Sequence, residues 1–204
     1  MSEAVTTACI GLRAKTARAI VVVLAGTAAS PHAVTRTEIA LASAVNPDLF
    51  QPYHEVMDLP WERATLAVRD AERAIEGAAT RGLKALVDEL RSRGMRVSSV
   101  GIVGAPQRNL AAIGSPHIRA HAAEGVLFRH VLEVGSAGND LPSAVHSERG
   151  FEAAAAARLR LSIEEMRTVL ADIGRMLGTP WRADEKAAAM AAWIGLANQL
   201  TAKQ

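Results

Sequence analysis

The chain has 204 residues and a formal net charge of +2 at pH 7, with a sequence pI near 9.0. This length suits one domain, residues 1–204, whose last part (residues 151–204) is helical by its sequence pattern. The net charge is too small to indicate a strongly polyanionic partner. Arginine nevertheless outnumbers lysine, and its guanidinium group suits phosphate oxygens, so a phosphate-bearing ligand remains an option.

The cysteine count and the hydropathy pattern indicate which cellular location to expect. Cys9 is the single cysteine, which excludes an intrachain disulfide and a cysteine-based zinc site and fits a reducing, cytoplasmic location. No basic region followed by an uninterrupted apolar run occurs at the N-terminus. The most apolar stretch, residues 19–25, is too short to cross a bilayer, so we expect a cytoplasmic protein without a membrane partner.

The first sixty residues predict three strands. Apolar runs at residues 8–12 and 19–24, separated by a polar turn, predict a hairpin. Residues 33–41 alternate polar and less polar side chains, as a half-exposed antiparallel strand does. The following segment, residues 46–60, contains three prolines, and we expect it to be a loop.

A long helical pattern follows. Residues 60–93 carry apolar side chains at helical spacing and predict one helix, or two helices joined near Gly77 and Gly82. Gly94 supplies a stop signal. Residues 97–103 form an apolar run without alternation, which is typical of a parallel strand covered on both faces.

The second half of the chain predicts helices around one short strand. Ser115 as cap and Pro116 at the first helical position begin a helix that runs to about Val134. A turn at residues 135–140 and a short strand at residues 143–147 follow. Helices then fill the C-terminal third: Ser162 and Glu165 form a capping box, and residues 180–200 predict the final helix.

The first candidate site lies on the helix that begins at Pro116. His117, His121 and Glu124 are spaced i, i+4 and i+7 and therefore share one arc of the helix surface. Two imidazoles and a carboxylate so placed could bind a divalent metal, or hold an anion with the free amides of the helix N-terminus. The alternative is that both histidines are hydrogen-bonded at the edge of the core and that Glu124 pairs with an arginine.

The loop before this helix is a second candidate. Gln107, Arg108, Asn109 and the capping Ser115 lie where a buried strand leads into a helix, a position that suits ligand contact. No Gly-x-x-x-x-Gly-Lys-Ser/Thr or Gly-x-Gly-x-x-Gly nucleotide signature occurs in the sequence. An ordinary connecting loop explains the same residues.

Acidic residues form the third candidate. Asp184 and Glu185 begin the final helix, and Glu148 follows the last strand. Carboxylates that converge from separate elements are what Mg²⁺- or Mn²⁺-dependent phosphoryl transfer requires. The alternative is that Asp184 and Glu185 only offset the positive end of the helix dipole.

The predicted elements define an α/β fold with a mixed five-stranded sheet: the first three strands antiparallel, the others parallel, helices on both sides and a helical C-terminal third. This order, with a final alanine-rich helix that begins Asp184-Glu185-Lys186, resembles the ribonuclease H-like superfamily and within it the Holliday-junction-resolvase-like branch. The resemblance implies acidic metal ligands on the first strand, at the end of the fourth strand and in the last helix. The first-strand position falls among Gly11, Leu12 and Arg13, and the fourth strand ends in Val103 and Gly104, so two of these acids are missing.

From this departure we expect a ribonuclease H-like domain with a degenerate acidic site that binds rather than cuts. The expected ligand is a nucleic acid or a phosphate-bearing molecule in the crevice near Arg108 and His117, with a homodimer formed through the helices. One alternative is a divergent metal-dependent nuclease or hydrolase that uses Glu148, Asp184, Glu185 and the histidine face with Mg²⁺ or Mn²⁺. The other is a structural oligomeric subunit.

Overall fold

A computed structural model describes residues 5–43 and 45–198. Its centre is a five-stranded sheet in the order β3-β2-β1-β4-β5. The strands are β1 (Thr6–Lys15), β2 (Arg18–Gly26), β3 (Pro31–Ala40), β4 (Met95–Gly104) and β5 (Ser143–Ser147). The α-helices are α1 (Pro52–Glu55), α2 (Trp61–Ala67), α3 (Arg69–Ser92), α4 (Pro116–Ala137), α5 (Phe151–Leu159), α6 (Ile163–Leu177) and α7 (Ala183–Asn198), with short 3-10 turns at Pro47–Leu49 and Leu110–Ala112.

The strand pairing confirms the predicted mixed sheet. β1 pairs antiparallel with β2, and β2 pairs antiparallel with β3. On its other side β1 runs parallel to β4, which runs parallel to β5. Because Arg13 is paired with Val103 and Gly104 with Ser147, the C-terminal ends of β1, β4 and β5 meet at one edge of the sheet.

Alternate residues of β1 supply two separate cores. Ile10 and Leu12 are fully buried among the side chains of α3 and α4, on one face of the sheet. Cys9, equally buried, faces the opposite side, where α5, α6 and α7 pack. The even and odd positions of a strand point to opposite faces, so this single central strand links both cores.

Helix α7 lies very close to the sheet. A Cβ atom added at Gly11 would lie 1.8 Å from the carbonyl oxygen of Ala188, and one added at Gly101 would lie 2.7 Å from that of Ala191. At Gly195 the added atom would meet the hydroxyl of Ser99 at 2.8 Å. Small residues on both surfaces therefore let the backbones of helix and strands approach each other. Ala188 and Ala191 of the last helix serve this close contact.

Four predicted boundaries differ from the structure. The proline-rich segment expected as a loop contains α1, because Pro52 occupies the first turn, where a missing amide costs nothing. The long helical segment breaks at Val68, between α2 and α3, and α3 runs without interruption through Gly77 and Gly82. Helix α4 continues to Ala137 and includes the first residues of the expected turn. Helix α7 begins at Ala183 instead of Pro180, and residues 199–200 of its expected end lie outside the described residues.

The capping box at Ser162 and Glu165 is as predicted, and so is the helical C-terminal part over the residues described, 151–198. Among the described residues, no helix combines the length and the apolar character needed to cross a membrane.

We predict that Gly11→Ala destabilises the protein by about 3 kcal/mol or more, because the new methyl group has no space against the backbone of α7. For a chain of this size such a loss corresponds to a fall in Tm of roughly 6–12 °C, measurable by differential scanning calorimetry. Gly114→Ala is the control, because an added Cβ there meets no atom within 4 Å. An equal Tm for the two variants would contradict the close packing of α7.

Candidate functional site

An arginine stands at the centre of the sheet edge where β1, β4 and β5 end. The Arg13 side chain is only 11% exposed. Its Nη1 donates to Oε1 of Glu148 at 2.5 Å, and its Nε donates to Oδ1 of Asp184 at 3.1 Å. The guanidinium group thus joins β1, the segment after β5 and the first turn of α7.

A second cation from the same strand completes this cluster. Lys15 lies two residues further along the same face of β1, and its Nζ is 3.2 Å from Oδ2 of Asp184. Partial burial of the Asp184 carboxyl acts to raise its pKa, but the hydrogen bonds and charges of Lys15 and Arg13 outweigh burial and hold the pKa below its ordinary value. Asp184 is therefore ionised at neutral pH and is paired with both cations.

These residues do not fit the two-metal site that the fold resemblance implies. The first strand contributes a cation where a carboxylate would be needed, and the fourth strand ends in Val103 and Gly104. The two available carboxylates, Glu148 and Asp184, already bind Arg13. A divalent cation placed between them would face the guanidinium group at close range, and this repulsion would oppose its binding.

Glu185, the third predicted catalytic acid, lies outside this cluster. Glu185 is only 4% exposed, and its Oε2 accepts the backbone N–H of Arg182 at 2.8 Å. It therefore satisfies a free amide at the beginning of α7 and does not join the Arg13 cluster. Of the three predicted catalytic residues, Asp184 and Glu148 meet at Arg13, and Glu185 does not.

The predicted ligand-binding residues lie in the loop that follows the same sheet edge. Gln107 accepts a hydrogen bond from Nη2 of Arg129 at 2.7 Å, and the Ser115 hydroxyl accepts the amide of Ile118 as the cap of α4. Arg108 and Asn109 are exposed to solvent. A role in ligand binding stays a prediction for Gln107, Arg108, Asn109 and Ser115.

A cleft of about 290 Å³ opens beside the Arg13 cluster. It is lined by Arg13, Lys15, Thr16 and Glu148 from the sheet edge and by Gly125 and Phe128 of α4, with Ala14 and Ala105. Two further arginines are exposed in the segments that follow the strand ends: Arg149, directly after Glu148, and Arg108, in the loop after β4. The cleft lining itself contains two cations, Arg13 and Lys15, and one carboxylate, Glu148.

A separate group of histidines lies where α1 contacts the first turns of α4. His54 of α1 joins the predicted His117 and His121, and one ring nitrogen of each lies within 4.8 Å of the others. Glu124, the third predicted ligand, is buried behind His54, and its Oε1 lies 2.8 Å from the Nδ1 of that ring. Glu124 therefore pairs with His54, and not with an arginine as the alternative interpretation of the sequence has it.

His54 is not among the site residues that the sequence predicts. It reaches α4 because its neighbour Tyr53 is anchored twice: the ring stacks on Trp61 with centroids 5.6 Å apart, and the hydroxyl donates to Glu72 at 2.9 Å. Burial, together with the Glu72 charge and hydrogen bond, raises the pKa of Tyr53 well above its ordinary value. A local signal is present in Gln51-Pro52-Tyr53-His54, where a proline precedes an aromatic and a histidine, but only the tertiary packing connects it to His117.

The architecture is a ribonuclease H-like α/β fold. Three features define it: the strand order β3-β2-β1-β4-β5, the mixture of antiparallel and parallel pairs, and the packing of the last helix against the central strand β1. Among solved structures, RuvC of Thermus thermophilus is similar with a TM-score of 0.53 and 11% identity, covering 95% of this chain and 96% of that chain. The T. thermophilus RuvC in complex with Holliday junction substrate gives the same TM-score and identity over 96% of both chains. At this identity the likeness establishes the fold.

No family model matches the sequence, and no curated protein matches it.

We predict that Asp184→Asn destabilises the protein at neutral pH by about 1 kcal/mol, a modest value because the carboxylate is 34% exposed. The folded-state pKa of Asp184 lies below its unfolded value of about 3.9. The stabilisation is therefore complete above about pH 5 and disappears as the pH falls through the folded-state pKa. Urea unfolding of both proteins at several pH values measures this difference.

Asp172→Asn is the matched control, because Asp172 forms an exposed pair with Arg175 on α6. We expect a change within about 0.5 kcal/mol for this variant. A difference between wild type and Asp184→Asn that persisted unchanged at pH 2 would contradict the assigned ion pairs.

Proposed function

We propose that this protein is a non-cleaving ribonuclease H-like domain that binds nucleic acid through its phosphate backbone at the C-terminal edge of the sheet. The observation that carries the proposal is the Arg13 cluster. Arg13 forms ion pairs with both Glu148 and Asp184 from inside the protein, where hydrolysis by the two-metal route would need metal ions between carboxylates.

The charge distribution supports phosphate as the contacted group. Lys15, Arg108 and Arg149 are accessible at the sheet edge. Lys15 shares Asp184 with Arg13, whereas Arg108 and Arg149 form no ion pair with any residue that the structure describes. Guanidinium groups bind phosphate oxygens in bidentate geometry. The cleft of about 290 Å³ accommodates a phosphate group with its sugar, at the small end of ligand sites.

The composition supports backbone contact over base recognition. Only 3% of the residues are aromatic, and the cleft includes one of them, the largely buried Phe128. Stacking on bases therefore has few partners here, and binding through phosphate is sequence-independent and dependent on salt. The RuvC structure with Holliday junction substrate adds support, because it is a neighbour in fold that binds a branched nucleic acid.

We predict that the protein binds a fluorescent four-way DNA junction with an affinity that falls as salt rises, and that the double variant Arg108→Ala, Arg149→Ala binds at least 10-fold more weakly at 50 mM salt. For duplex arms, the slope of log K against log salt becomes shallower by about 0.9 for each phosphate that the protein no longer neutralises. Fluorescence anisotropy at several salt concentrations, with linear duplex and single strands as competitors, provides the measurement.

The control for this test is Arg91→Ala, Arg93→Ala, which removes two exposed arginines just before β4, at the opposite end of the parallel strands. We expect this variant to keep wild-type affinity. Binding that is absent at low salt, or that both double variants lower equally, would refute the proposed surface.

We predict that the wild type binds no Mg²⁺ at the sheet edge and leaves labelled junction, duplex and single-stranded DNA intact. Arg13→Asp removes the competing cation and places a third carboxylate beside Glu148 and Asp184, so this variant should gain Mg²⁺ affinity by at least 10-fold. Isothermal titration calorimetry measures the gain. Mg²⁺ is the appropriate ion because imidazoles elsewhere in the chain compete poorly for it.

Arg18→Asp is the matched control, since it makes the same charge change on the neighbouring strand, where Arg18 is exposed. We expect no gain of Mg²⁺ binding from it. Cleavage of DNA by the wild type that Asp184→Asn abolishes would establish the divergent nuclease instead and would end the non-cleaving proposal.

A further inference from the structure

We propose that His54, His117 and His121 form a Zn²⁺ site, with Glu124 as the positioning residue that orients His54. The three ring nitrogens gather within 4.8 Å of one another, and they come from two helices that are far apart in sequence. This site is separate from the Arg13 cluster and does not depend on nucleic-acid binding.

The three rings form one compact group. His54 lies edge-on to His121 with centroids 4.4 Å apart and to His117 at 5.4 Å, and His117 lies edge-on to His121 at 4.5 Å. The three interplanar angles are 73°, 78° and 88°, so each ring is nearly perpendicular to the other two. Rings arranged around a common point in this way can direct one nitrogen each towards it.

The hydrogen bonding of His54 indicates which nitrogen is available. Its Nδ1 lies 2.8 Å from Oε1 of Glu124, whose side chain is only 4% exposed. The backbone amide of His54 donates to the same oxygen at 3.3 Å. A carboxylate oxygen is a hydrogen-bond acceptor, so Nδ1 is the donor in this pair and Nε2 is the ring nitrogen left to bind a metal.

That nitrogen has no protein partner. Nε2 of His54 is buried and makes no hydrogen bond to any described residue. A buried polar atom without a partner has lost its hydration and gained no hydrogen bond in return, and a metal ion bound at Nε2 would remove this cost. A carboxylate that holds one imidazole nitrogen while the other binds metal is the usual support of metal-bound histidines.

The donor set selects the kind of metal. Imidazole nitrogens suit Zn²⁺ and other late first-row cations, whereas Mg²⁺ and Ca²⁺ require oxygen ligands. Zn–N bonds are about 2.0–2.1 Å, so the nitrogens of a tetrahedral site are about 3.4 Å apart. His117 and His121 are exposed, and their rings can rotate inward at small cost to reach this spacing. Three protein ligands leave the fourth position to water or another small ligand from the solvent side.

The proposed Zn²⁺ site lies near the cleft beside Arg13, because two of its histidines are on α4, which also lines that cleft. His117 and His121 are followed on the same helix face by Gly125 and Phe128, which line the cleft beside Arg13. At a rise of 1.5 Å per residue, His121 is about 6 Å from Gly125 along the helix axis. The negative charge of Glu124 offsets the cost of placing a cation close to the positive N-terminal end of α4.

The test is a titration of the purified full chain, freed of metal by a chelator, with Zn²⁺ alone, followed by calorimetry and by competition with a coloured chelator. We expect one equivalent of Zn²⁺ per chain. His117→Ala and His121→Ala should each lower the affinity by at least 100-fold, because each removes one of three ligands from an exposed position where folding is unaffected. Substitution with Co²⁺ should give the intense visible absorption of a four-coordinate site.

His130→Ala is the control, since it removes an exposed histidine from the same helix outside the cluster. We expect unchanged Zn²⁺ affinity for it. Binding below one equivalent, or equal affinity for His117→Ala and His130→Ala, would overturn the site.

Glu124→Gln tests the positioning role. The amide retains the shape of the carboxylate and loses its charge, so we expect Zn²⁺ affinity to fall 10- to 100-fold. The Co²⁺ spectrum should keep its shape, because the three ligands remain. A Glu124→Gln variant with wild-type affinity would show that the carboxylate does not act through His54, and a changed spectrum would show that Glu124 is itself a ligand.

Discussion

The backbone of α7 lies directly against the middle of the sheet, and the geometry of the sheet edge follows from this contact. Gly11 and Gly101 leave no room for a side chain against Ala188 and Ala191. Because no side chains separate the two surfaces, the helix has a single position along β1. Close packing of this kind is intolerant of even one added carbon.

This position of α7 determines the chemistry at the sheet edge. Asp184 lies one turn before Ala188, so fixing that residue over Gly11 brings the Asp184 carboxylate to Arg13, two residues further along β1. Glu148 approaches from the end of β5. The charge cluster is therefore a consequence of packing between small residues, although none of those residues is polar.

The order of elements, the mixed sheet and the capping of α6 could be predicted, because they depend on local patterns of hydropathy, glycine, proline and serine. The break in the long helical segment could not. Gly82 has the pattern of an interruption, but a Cβ there would lie 2.4 Å from Ile39, so this glycine serves the contact between α3 and β3. Local propensity cannot distinguish a glycine that ends a helix from one that lets a strand approach it.

Sites that depend on distant contacts could be predicted only in part. His117 and His121 share a helix face by spacing alone, whereas His54 joins them through the stacking of Tyr53 on Trp61. Similarly, Asp184 and Glu148 could be selected as acids, but no sequence pattern indicates that Arg13 lies between them. Helical periodicity finds neighbours on one element, and the packing of different elements has no comparable signal.

The cation at the centre of the sheet edge is the Arg13 guanidinium group, which is covalently attached to the chain. A bound ion would leave and return with its concentration in the surrounding solution, and it would have to shed its hydration shell at each exchange. Arg13 has its partners as soon as β1 and α7 are in place. The shape of this edge is consequently the same in a cell rich in free magnesium as in one depleted of it.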